Sequence, residues 1–118
     1  MRCFVIGLCL VGPPAFAQEI LQPKPDAVLS SPVTISVRCG APCADGRTHM
    51  HLIIDQPAPS RGEAIPFDKQ HIHVHQRART MRIDLPPGQH RIFVALGDGD
   101  HVAESPDAVA GPLTFTVK

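Results

Sequence analysis

Five stretches of the chain alternate an apolar set of residues with a largely polar one at a period of two, the signature of strands with one buried face, and a sixth is apolar on both faces. Val33, Ile35 and Val37 oppose Thr34, Ser36 and Arg38. Met50, Leu52 and Ile54 oppose His49, His51 and Ile53; Ile72 and Val74 oppose His71, His73 and His75. Met81, Ile83 and Leu85 oppose Thr80, Arg82 and Asp84, and Leu113, Phe115 and Val117 oppose Thr114 and Thr116. The run from His90 to Leu96 is apolar on both faces through Ile92, Phe93, Val94 and Leu96, which predicts a strand at the centre of a sheet.

Turn formers stand between these segments: Gly40 with Pro42, Pro57 to Gly62, Pro86-Pro87-Gly88, Gly97 to Asp100, and Pro106 with Gly111-Pro112. Thirteen prolines leave little room for helices, because proline breaks a helix interior but is tolerated at turns and strand ends. The pattern predicts an all-β protein, a small immunoglobulin-like or cupredoxin-like β-sandwich of about six to seven strands over residues 32–118. Residues 18–31 carry Pro23 and Pro25 with little periodicity and read as an extended lead-in.

The N-terminus changes the setting. Arg2, the apolar run from Cys3 to Val11, and Ala15-Phe16-Ala17 before Gln18 have the three parts of a secretory signal over residues 1–17, with cleavage expected after Ala17. The run is too short for a membrane anchor, which needs roughly 20 apolar residues, and Leu8 before Cys9 does not suit a lipoprotein signal. The mature chain is therefore expected in the periplasm or outside the cell, with no membrane span. There Cys39 and Cys43 are expected to form a local disulfide; metal ligation and a redox pair are the alternatives, although three intervening residues do not fit the thioredoxin-like motif.

Charge excludes one class of partner. The full chain has 11 basic and 11 acidic residues, and without Arg2 the balance is 10 against 11, so nothing favours nucleic acid, whose binding rests on excess Lys and Arg.

All seven histidines lie after residue 48, and their spacing is the candidate chemistry. His49 and His51 fall at i and i+2 on one strand, and His71, His73 and His75 do the same on another, so each set projects from a single sheet face. If the two strands are neighbours, the imidazoles can share an ion. Neutral imidazole suits copper, zinc and nickel. The competing account is a merely polar, solvated face. His101 in the Gly99-Asp100-His101 loop can complete the set, and Asp98 and Asp100 can either orient an imidazole or shape the turn. His90 faces the same way as Ile92 and Val94 and reads as a satisfied core histidine, and Met50 reads as core. No nucleophile elbow, catalytic triad or phosphate loop can be placed, and the blue-copper Cys-and-His loop is missing.

Four segments resemble a family of exported bacterial proteins, domain-of-unknown-function family 4399. They are His49-Met50-His51-Leu52-Ile53-Ile54-Asp55; Ile65-Pro66 followed by His71-Ile72-His73; Leu85 to His90; and Gly97 to Val102. The resemblance implies a small periplasmic β-domain with recurrent histidines, here His49, His51, His73, His90 and His101. This chain departs from it at Met50, at His75 where glycine is usual, and at Glu104. No activity follows from the family.

Three functions remain in play. A periplasmic protein that binds copper, or second to it zinc, through His49, His51, His73 and His101, with His75 as a fifth candidate, would act as carrier, buffer or accessory factor. An envelope protein-interaction module without metal is the alternative. A superoxide-type metalloenzyme is the third.

Overall fold

The computed structural model describes residues 18–104 and 109–118; the signal segment expected at residues 1–17 lies outside them. Among the described residues, eight strands form two packed sheets. They are β1 (Gln18–Gln22), β2 (Val28–Leu29), β3 (Val33–Cys39), β4 (His49–Ile54), β5 (His71–Val74), β6 (Ala78–Ile83), β7 (Gly88–Gly97) and β8 (Val109–Val117). The smaller sheet runs β1-β3-β6 and the larger β2-β8-β7-β4-β5.

This is the immunoglobulin arrangement. The first, second and fifth strands of that plan pair in one sheet, and the third, sixth and seventh in the other. Here β1, β3 and β6 take the former places and β4, β7 and β8 the latter, with β5 added at the edge. The N-terminal segment switches sheets, pairing antiparallel with β3 through β1 and parallel with β8 through β2.

The alternating residues face one another across the sandwich. Val33, Ile35, Val37, Met50, Leu52, Ile54, Ile92, Val94, Leu96 and Phe115 form one buried cluster. Met50 is completely buried in it, as its position opposite the histidines predicts. The both-faces-apolar run is the central strand β7, paired with β8 and β4.

Two boundaries differ from the sequence reading. Within the extended lead-in, Gln18–Gln22 and Val28–Leu29 pair as strands of the sandwich, which brings the count among the described residues to eight. The signal of Gln18–Gln22 is weak because that strand is short, irregular in register and lies at a sheet edge. The fourth sequence segment is displaced, since β6 ends at Ile83 and Leu85 lies beyond it. Cys39 and Cys43 form a disulfide that ties the end of β3 to a short 3-10 turn, Ala41–Asp45.

The outer face of the larger sheet is covered at one end. The long β4–β5 connection crosses it and meets the β7–β8 connection through the backbone: Ile65 N–H donates to the His101 carbonyl at 2.9 Å, and Ala103 N–H to the Glu63 carbonyl at 2.8 Å. Ile53 and Ala95 of the sheet and Ile65 of the connection itself are buried here, outside the inter-sheet core. His49 and His51 are buried on this face as well.

A candidate metal centre on the outer face

Strands β4 and β5 are antiparallel neighbours in the register that places His51 directly opposite His73. The spacing of the two His-x-His segments leaves adjacency open, and the fold supplies it. His49 stands two residues along β4 on the same face, and His101 reaches over from a turn in which its own φ is +60°. One ligating nitrogen from each of His49, His51, His73 and His101 falls within 4.8 Å of all the others.

Local hydrogen bonds orient these rings. His49 Nδ1 lies 3.0 Å from the Arg47 carbonyl, which can only accept, so Nδ1 donates and Nε2 presents its lone pair. His73 Nε2 faces the Pro66 carbonyl at 3.4 Å, which leaves the lone pair on Nδ1. That His73 Nδ1 is buried without a partner. The backbone carbonyls thus fix tautomers in the manner usual for histidines that bind metal. His101 Nδ1 lies 3.0 Å from His49 Nε2 and 3.4 Å from His51 Nε2. One proton on His101 Nδ1 cannot serve both neighbours well.

His51 carries the largest unmet demand. Its side chain is fully buried and its Nδ1 has no partner. Burial, helped by the repulsion expected from His73, His49 and His101, lowers its pKa to about 3. It is a neutral donor at any ordinary pH. Burial also lowers the pKa of His73, against an opposing contribution from the Pro66 carbonyl.

Packing fits the ring of His51 closely. A Cβ on Gly97 would lie 2.5 Å from His51 Cε1, so only glycine at this position of β7 leaves room for the imidazole. Phe67 covers the other side, its ring 3.6 Å centroid to centroid from His73 while remaining largely exposed to solvent.

The remaining histidines stand apart from this group. His75 is exposed just past the end of β5 and stacks on His49 at 4.7 Å, beside the four converging nitrogens and not among them. His71 projects from the same face as His73, but its Nδ1 is bound to Asp68 at 2.7 Å. His90 is buried, with Nδ1 2.7 Å from Asp55 and Nε2 2.7 Å from the Pro86 carbonyl, as a satisfied core histidine should be. Asp98 shapes its turn, accepting from Asp100 N–H and Val102 N–H.

Sequence reasoning missed the Arg47 and Pro66 carbonyls, the Gly97 clearance and the Phe67 cover. Only the Gly97 to Asp100 turn signal hinted at one of them.

The fold and site together define an immunoglobulin-like β-sandwich with a four-imidazole donor set, two of its rings buried and two half-buried, on the outer face of its larger sheet. Residues 40–118 match the model of the domain of unknown function (DUF4399), and the chain belongs to that family. Neither the curated proteins nor the solved structures compared with the chain include a match.

Proposed function

We propose that this protein is an exported metal-binding protein that holds one copper ion, in preference to zinc, through His49, His51, His73 and His101. The observation that carries this reading is the convergence of four imidazole nitrogens within 4.8 Å, with the Nδ1 atoms of His51 and His73 buried and unpartnered. An orphaned buried nitrogen costs about 1–3 kcal/mol, and a bound cation would remove that cost at His73 Nδ1 while taking up the lone pairs that the other rings turn toward one another.

Dimensions support an ion of this kind. Metal–nitrogen bonds of about 2.0–2.1 Å give a tetrahedron with edges of about 3.3 Å and a tetragonal site with trans donors about 4.1 Å apart. The measured 3.0 and 3.4 Å spacings match such an edge, and the 4.8 Å limit admits either geometry. Copper is placed ahead of zinc because nitrogen donors follow the affinity order in which Cu(II) stands highest.

A carrier, buffer or accessory role suits the burial of the donors better than turnover does. His51 is inaccessible, His49 is 7% exposed, and the Phe67 ring lies against His73. Export is supported by the signal-like residues 1–17 and by the Cys39–Cys43 disulfide, which persists in oxidising compartments.

Titration of the metal-free protein with Cu(II), Cu(I) and Zn(II) tests the reading. The expected result is one ion bound tighter than micromolar, weakened by at least about 100-fold in His51→Ala/His73→Ala, since even the outer partners of metal ligands are worth 10- to 100-fold. Weak binding that the double variant leaves unchanged would overturn it in favour of an interaction module.

A further inference from the structure

Beside the four-histidine group a polar cleft of about 410 Å³ opens to solvent, lined by Arg47, Thr48, His49, His75, Gly99 and His101 among others. His51 and His73 do not line it. The cleft is therefore the side from which His49 and His101 are reached, and its volume far exceeds the roughly 30 Å³ of one water.

The charge of this cleft is unusual for its surroundings. Arg47 is exposed and, among the described residues, its guanidinium forms no hydrogen bond and no ion pair; its charge does act on the Asp45 and Asp98 carboxylates, adding to the backbone N–H groups that chiefly lower their pKa values. It lies against Gly99, where an added Cβ would sit 3.0 Å from Nη2. The nearest acidic groups are engaged in turns: Asp45 accepts from Arg47 N–H, Thr48 N–H and the Thr48 hydroxyl, and Asp98 accepts from two backbone N–H groups. The four imidazoles are neutral donors and bring no negative charge to an ion they hold. A divalent ion there would be compensated by no carboxylate ligand and would face the Arg47 guanidinium across the cleft.

We infer that the cleft binds a small monoanion of the carboxylate or bicarbonate class, seated between the bound ion and the Arg47 guanidinium, with His75 as a neighbouring donor. The inference rests on the metal-binding reading and names the coligand of that same site. The guanidinium fork matches a carboxylate in geometry as well as charge. Stacking of His75 on His49 puts its imidazole at the edge of the same space.

Azide, a small anion whose attachment to Cu(II) creates a new absorption band, is the probe, with formate as competitor. The protein is first loaded with one equivalent of Cu(II), and azide is added while absorption and electron paramagnetic resonance spectra are followed. Saturable azide binding, displacement by formate, and about tenfold weaker azide affinity in Arg47→Gln are expected, the loss of one nearby charge being worth about that much. Arg47→Gln retains the backbone carbonyl that orients His49 and removes a charge that repels the ion, so the variant should still load one equivalent of copper, at least as tightly as the parent. Copper bound normally but with no azide binding, or with equal azide affinity in Arg47→Gln, overturns the anion inference while leaving the metal reading intact. A protein that takes up no copper overturns both.

Discussion

His90 on β7 and His51 on β4 are buried histidines on neighbouring strands of one sheet, and their surroundings meet them in opposite ways. Both nitrogens of His90 face acceptors, the Asp55 carboxylate and the Pro86 carbonyl, each at 2.7 Å. His51 faces another imidazole on one side and nothing on the other. A buried polar group is ordinarily matched, as His90 is. Leaving His51 unmatched, with His73 Nδ1 beside it in the same condition, is tolerable where an ion is to be received. The contrast separates a histidine that holds the fold from histidines that could hold an ion.

His90→Ala should break the fold side of the contrast most strongly. It empties a buried position beside Phe115 and strands Asp55 and the Pro86 carbonyl, at a cost of about 2–3 kcal/mol. Urea unfolding of the metal-free protein measures this loss, and copper stoichiometry should stay at that of the parent. A His90→Ala protein that folds normally but loses copper would place His90 on the ligand side and erase the distinction.

A smaller effect is expected from Gly97→Ala, which acts on the ligand side without touching a histidine. The new methyl would press on His51 Cε1, on His51 Nδ1 at 3.0 Å and on Ile65 Cδ1 at 3.3 Å, and His51 has no space to retreat into. Overpacking of this kind costs about 1–3 kcal/mol. Copper affinity should fall with it, whereas an unchanged affinity would mean that the position of the His51 ring does not govern the site.

The two histidine classes were unequally legible in the sequence. Alternation places His49 and His51 on the face opposite Met50 and Leu52, and it places His90 with Ile92 and Val94, because side chains on a strand follow a period of two. It also marks β7 as central, since Ile92, Phe93, Val94 and Leu96 leave neither face polar. What alternation cannot carry is pairing between strands distant in sequence. The match of His51 to His73 comes from a closure over a 16-residue connection, from Asp55 to Gln70, that has no periodic signal of its own. The carbonyls of Arg47 and Pro66, being backbone groups, leave no trace in residue type. The β1 strand was hidden for another reason: at a sheet edge, Gln18 and Glu19 need not alternate cleanly with Ile20 and Leu21.

The smallest effect, and the one that sharpens the contrast furthest, is the pH dependence of stability in the metal-free protein. His90 is protonated more readily in the fold than in the unfolded chain: burial opposes the charge, but the Pro86 carbonyl and Asp55 carboxylate outweigh it and raise the pKa. Its contribution is therefore fully present below the unfolded pKa of about 6.5 and is lost as pH rises through the higher folded value. His51 has the reverse sign. Its pKa falls to about 3, so the stability that depends on its neutrality is present above pH of about 6.5 and declines as pH falls from there toward 3. Thermal melts between pH 4 and 8.5 on His90→Gln and His51→Gln should accordingly diverge from the parent at opposite ends. Removing His90 flattens the alkaline decline; removing His51 flattens the acid one. If both variants flattened the same limb, the two histidines would share one protonation state, and the division between a fold-holding and an ion-holding imidazole would fail.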